Sequence, residues 1–148
     1  MAEALQFVAF RIGTQQFAIE IHRVSEVRNF SGDITPLPGA PQFVEGMIDL
    51  RGQLIPVIDM RKRLALPVIE NTMQTRILIV RADREKIGLI VDESDQVHTI
   101  PIENIQPPPE HGSDFVLAVA KHQDGLLLVL DVERLLQGIR AISTGKSA

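Results

Sequence analysis

The chain has 148 residues, a formal net charge of −4 and no cysteine. Its length fits one domain, or two small barrels around a shared core. The acidic balance argues against general nucleic-acid binding, which needs a basic face to displace counterions, and the missing thiols exclude disulfides and thiolate-held metals.

Hydrophobic residues make up 45% of the chain, enough for a core, and with six Phe and no Trp or Tyr that core must be mostly Ile, Val and Leu. The first residues lack the basic region and apolar stretch of a signal peptide. No apolar run approaches the ~20 residues of a spanning helix. A cytoplasmic chain without direct membrane insertion is expected.

Leu5–Ile12 and Gln16–Ile21, joined through Gly13-Thr14-Gln15, predict a β-hairpin. Residues 22–30 follow with Val24, Val27 and Phe30 at a three-residue spacing, which suits a helical turn or an irregular strand presenting a ridge. Core packing is the default for these three; an exposed ridge bordered by Glu26 would make a protein-binding groove. Residues 31–42 carry Pro36, Pro38 and Pro41 and read as an ordered loop or sheet edge.

Phe43–Leu50 and Leu54–Ile58 predict a second hairpin, with Arg51 at its tip. Asp59 then suits an N-cap for a short helix through Leu64. Arg61-Lys62-Arg63 is expected to be a solvated helix face.

The second half repeats this plan. Gln6–Val27 aligns without gaps on Arg76–Val97, and Phe43–Leu64 on Phe115–Leu136. In the second block Phe43, Val44, Leu54, Val57, Asp59 and Leu64 meet Phe115, Val116, Leu126, Val129, Asp131 and Leu136 as identities. Duplication implies two similar barrels, in approximate halves 5–66 and 75–137 of one domain over 4–138. Strand exchange between the barrels is compatible with it, and residues 139–148 are expected to form a flexible tail.

The repeat is also an internal control. Asp59 and Asp131 occupy equivalent places, as scaffold residues should. Glu26, Gly46 and Arg51 instead face Gln96, Ala118 and Gln123. The shared fold therefore requires no charge at 26 or 51. An arginine at a hairpin tip is a frequent interface anchor, and a local salt bridge is an equal alternative.

His22, His98, His111 and His122 share no ligand spacing and are expected on the surface or in loops. Asp92-Glu93-Ser94-Asp95 lacks the glycine and terminal Glu of a calcium loop and reads as a solvated turn. No nucleophile elbow, Walker loop or dinucleotide fingerprint occurs. Neither a catalytic residue, a metal nor a cofactor is expected. The competing reading is a small-molecule-binding barrel or hydrolase using a polar cavity at Asp49 or Asp59.

Val24-Ser-Glu-Val27, Thr35-Pro-Leu-Pro-Gly-Ala-Pro41, Phe43-Val-Glu-Gly-Met-Ile-Asp-Leu-Arg-Gly52, Ile55-Pro-Val-Ile-Asp59, Ile90-Val-Asp92 and Leu128-Val-Leu-Asp131 together resemble CheW, the adaptor family of bacterial chemotaxis. The likeness spans about residues 4–137. It implies an all-β fold with minor α: two SH3-like five-stranded barrels around a common hydrophobic core. It implies a scaffold that joins the regulatory domain of a CheA-type histidine kinase to the cytoplasmic tip of methyl-accepting chemoreceptors, with adaptor and kinase pairing through related barrel ends to build rings, and CheW–CheW ring contacts as a further expectation. The same module serves other chemosensory outputs, such as type IV pili. By matched position, Val24, Glu26, Gly46, Arg51 and Gly52 fall where partner binding is sensitive, and Val24, Val27, Phe30 and Val97 would line a groove for the receptor helix. The resemblance leaves Glu26 and Arg51 divided among kinase contact, receptor contact and internal pairing.

Overall fold

A computed structural model of the protein describes residues 3–110, 114–123 and 125–137. The expected tail at 139–148 and His111 lie outside the described residues. The strands run β1 (Ala4–Ile12), β2 (Gln15–Glu20), β3 (Val24–Asn29), β4 (Val44–Leu50), β5 (Gln53–Asp59), β6 (Arg76–Ala82), β7 (Glu85–Val91), β8 (Glu93–Pro101), β9 (Ile105–Gln106), β10 (Val116–His122) and β11 (Gly125–Leu130). A short helix α1 (Met60–Arg63) follows β5, and residues 132–137 form α2 after β11. A 3-10 turn over Ile21–Arg23 leads into β3, so the segment after the first hairpin contains both a helical turn and an irregular strand.

The strands form two SH3-like barrels. The sheet of the first barrel has the order β8-β1-β2-β11-β10-β9 and that of the second barrel β3-β6-β7-β5-β4. Mapping each half onto the other turns β8, β1, β2, β11 and β10 into β3, β6, β7, β5 and β4, which is the same order. The correspondence extends to register. Phe7 pairs with Glu20 as Ile77 pairs with Ile90, and the parallel pair Ala18–Val129 matches Gly88–Val57. The bulges coincide too, at Val44/Gly46 and Val116/Ala118.

Each sheet nevertheless takes its central hairpin from the other half of the chain: β1–β2 sits among β8–β11, and β6–β7 among β3–β5. A whole hairpin is exchanged, beyond a single edge strand. Side-chain alternation explains why this is stable. On β1, Phe7 and Ala9 enter the core of their own barrel, while Val8, Phe10 and Ile12 enter the core between barrels. On β6, Ile77 and Ile79 do the first and Leu78, Val80 and Ala82 the second. Both faces are buried, so these strands read as unbroken apolar runs. Each fully buried Ile, Leu or Phe contributes roughly 1.5–3 kcal/mol.

Asp59 caps α1 as its position predicts, accepting from the N–H groups of Arg61 and Lys62. Asp131 accepts from Arg134 N–H at 3.2 Å in the equivalent place. The backbone N–H groups of the two aspartates donate to Phe43 O and Phe115 O, at 2.8 and 2.7 Å.

Candidate functional site: the seam of the second barrel

The β4–β5 hairpin turns through Arg51 and Gly52, whose φ angles are +52° and +86°. Two successive left-handed residues match the twist of the flanking strands, and glycine takes that conformation without Cβ strain. Asp49 Oδ1 accepts the Gly52 N–H at 2.8 Å and locks the turn.

The turn aims Arg51 across the barrel. Its Nη2 donates to Glu26 Oε2 at 2.7 Å, with the Arg51 side chain 70% exposed and Glu26 28%. Glu26 sits on β3 beside the bulge between Val24 and Glu26. β3 and β4 are opposite edges of one sheet, so the pair spans the seam where the sheet curls closed. The Arg51 hydrogen bond holds the Glu26 carboxyl below its usual range against an opposing push from burial, and Arg28 adds attraction. An exposed pair of this kind contributes about 0–1 kcal/mol. It leaves most of the Arg51 side chain open to solvent.

Gly46 has a local structural reason. Its φ is +152°, and an added Cβ would lie 2.1 Å from Thr35 O. Thr35 and Met47 exchange two backbone hydrogen bonds of 2.8 Å there, pinning the proline-rich loop onto β4. The four expected groove residues divide. Val24 packs against the core between the barrels and Phe30 against the core of the second barrel. Val27 and Val97 are 42% and 48% exposed, at equivalent positions on the two edge strands β3 and β8.

Three sequence expectations are corrected. The basic run is not a solvated face: Arg61 pairs with Asp92, Lys62 Nζ pairs with Glu45 Oε1, and the Arg63 guanidinium lies between the rings of Phe43 and Phe115. The acidic run is not a solvated turn. Asp92 also accepts the Gly13 N–H at 2.7 Å, Glu93 pairs with Arg11, and β8 starts at Glu93. Nor are the histidines confined to the surface and loops. His98 on β8 and His122 on β10 are half-buried at the first barrel's seam, with ring centroids 4.7 Å apart, beside a cavity of about 590 Å³ that Asn104 and Lys121 also line. Their partners lie far away in sequence, so spacing could not reveal them. Leu54 and Leu126 recur in the repeat as barrel scaffold would, yet they are 65% and 48% exposed near the two hairpin tips.

Asp49 and Asp59 do not converge on a polar cavity. One is bound to its turn, the other caps a helix, and the hollow of about 200 Å³ at Asp49 is lined by Pro36, Leu37, Met47 and Leu54. Among the described residues no group of three His, Asp or Glu could hold a metal, and no helix is long and apolar enough to cross a membrane.

Fold and site define a two-barrel β module that offers hairpin tips and edge strands for contact. The family model for the CheW-like domain matches residues 6–140. The chain is 35% identical to "Chemotaxis protein CheW" of Rhizobium meliloti (strain 1021) over 116 residues, covering 78% of this chain and 74% of that one. It is 33% identical to the protein of the same name from Bacillus subtilis (strain 168), covering 88% and 86%. The crystal structure of scaffolding protein TtCheW from Thermoanaerobacter tengcongensis superposes with a TM-score of 0.80 at 34% identity, covering 88% of this chain and 90% of that one. The chain belongs to the CheW-like family.

Proposed function

We propose that this protein is a non-catalytic chemotaxis adaptor, coupling methyl-accepting chemoreceptors to the regulatory domain of a CheA-type histidine kinase. It works in the cytoplasm and is recruited to membrane-associated receptor arrays. The observation that carries the reading is the exposed Arg51 at a rigid hairpin tip, tied to Glu26 across the barrel seam, in a chain of this family. Glu26, Arg51 and Gly52 form the charged partner surface, and Gly46 keeps its supporting loop in place. Val27 and Val97 supply exposed apolar contact for a receptor helix, with Val24 and Phe30 fixing the backbone beneath. Leu54 and Leu126, at equivalent barrel ends, suit the ring contacts between modules.

Arg51→Glu tests the reading. Circular dichroism should show an intact fold. Pull-down with the kinase regulatory domain and a receptor cytoplasmic fragment should show weakened assembly. Unchanged binding by the folded variant would remove Arg51 from the site.

A further inference from the structure

We propose that Arg63 is a docking point for an acidic side chain of a protein partner, separate from the Glu26–Arg51 pair. Arg63 is a cation with no anion among the described residues. Its Cζ lies 4.3 Å from the Phe43 ring centroid and 4.2 Å from that of Phe115. Nε is shut off from solvent without an acceptor, and no Arg63 N–H finds one among the described residues. The neighbours differ. Arg61 is matched by Asp92 and Lys62 by Glu45, so Arg63 carries the unmatched charge of the basic run.

The repeat shows that the fold does not need this cation. Leu135 stands at the equivalent position and is fully buried. Phe43 and Phe115 are themselves equivalent, one from each half, so the guanidinium is clamped on the joint between barrels. With both faces covered, its free donors lie along the Nη edge of a fixed plane. That is the fork geometry that takes a carboxylate through two parallel hydrogen bonds. The phenyl clamp holds the side chain in place beforehand, which lowers the entropy lost on binding. A single cation on a chain of charge −4 is poorly suited to a polyanion. Flanking phenyl rings instead suit the apolar stem of a partner Glu or Asp.

This proposal goes beyond the adaptor reading and is tested apart from it. The first arm titrates ¹⁵N-labelled protein with sodium acetate, sodium chloride and inorganic phosphate at matched ionic strength. The Arg63 Nε–Hε signal and the Phe43 and Phe115 ring protons should shift saturably with acetate and not with chloride. No saturable acetate shift, or tighter binding of phosphate than acetate, would overturn the assignment. Arg63→Leu should abolish the ring shifts while melting close to wild type, and Arg63→Lys should weaken them. In the second arm, Arg63→Leu should lower affinity for the kinase regulatory domain or the receptor fragment by ~10-fold or more, as loss of an arginine anchor does. If both bind the folded variant as they bind wild type, Arg63 docking is overturned and the adaptor reading stands. If wild type binds neither, the adaptor reading fails and the acetate titration decides Arg63.

Discussion

Arg61 and Asp92 meet fork to fork: Arg61 Nε lies 2.9 Å from Asp92 Oδ1 and Nη2 lies 2.5 Å from Oδ2. The same carboxylate accepts the Gly13 N–H from the β1–β2 turn. One side chain therefore ties the end of β7 to α1 in its own barrel and to a turn of the other.

Asp92→Asn should cost ~2–3 kcal/mol at pH 7, because it leaves a largely buried guanidinium without its anion; the two side chains are only 14% and 19% exposed. Burial pushes the Asp92 carboxyl up, but the hydrogen bonds from Arg61 and Gly13 outweigh it and hold the group below its usual range. A depressed folded-state pKa stabilises the protein above the unfolded value, near ~4, and the contribution is lost as pH falls through the lower folded value. Urea melts of wild type and variant should differ at neutral pH and converge in acid. A pH-independent gap would contradict this.

Gly46→Ala should destabilise by ~2–3 kcal/mol or more, since the new Cβ meets the Thr35 carbonyl and the backbone lies at positive φ. Gly52→Ala, at φ +86° with open space around it, should cost only ~1 kcal/mol. Thermal melts of the two variants check the order. Lost partner binding by Gly46→Ala should track displacement of the 31–42 loop, read by amide exchange at Thr35 and Met47.

The double variant Glu26→Arg with Arg51→Glu should restore the internal pair and melt within ~1 kcal/mol of wild type. Binding to kinase or receptor should stay weak, because the surface presents reversed charges. Full recovery of binding in isothermal titration would assign both residues to internal pairing alone.

Asp59→Ala and Asp131→Ala should each lower stability by ~1 kcal/mol, the usual cost of removing an N-cap. Asp59 should cost slightly more, because it accepts from two N–H groups. Chemical denaturation of the singles and the double should be near additive. Strong coupling would show that the caps act through the shared core.

Much of this architecture was legible because the chain carries its own comparison. The offsets that align Phe43–Leu64 with Phe115–Leu136 place both hairpins, both aspartate caps and both short helices where the structure has them. The exchange was not legible at the scale it occurs. An internal alignment says which segments are alike, whereas the parallel pairs β2–β11 and β5–β7 decide which segments are neighbours. Arg61 and Lys62 escaped for a related reason: a run of cations looks solvated until Asp92 and Glu45 are brought beside it. Glu26 and Arg51 stood out because their counterparts in the repeat are uncharged.

The hairpin exchange also constrains how the protein is made. Of these strands β1–β2 leaves the ribosome before the others, but the strands that flank it begin only at Glu93 and Gly125. Until then its two apolar faces and both its edges stand open. The early partner strands β3–β5 wait in turn for β6–β7. Neither barrel can close before its late strands arrive, so folding is governed by distant pairings and is slow for a chain of this size. Apolar faces and unpaired edges held open in this way are the features that favour aggregation and hairpin exchange between copies.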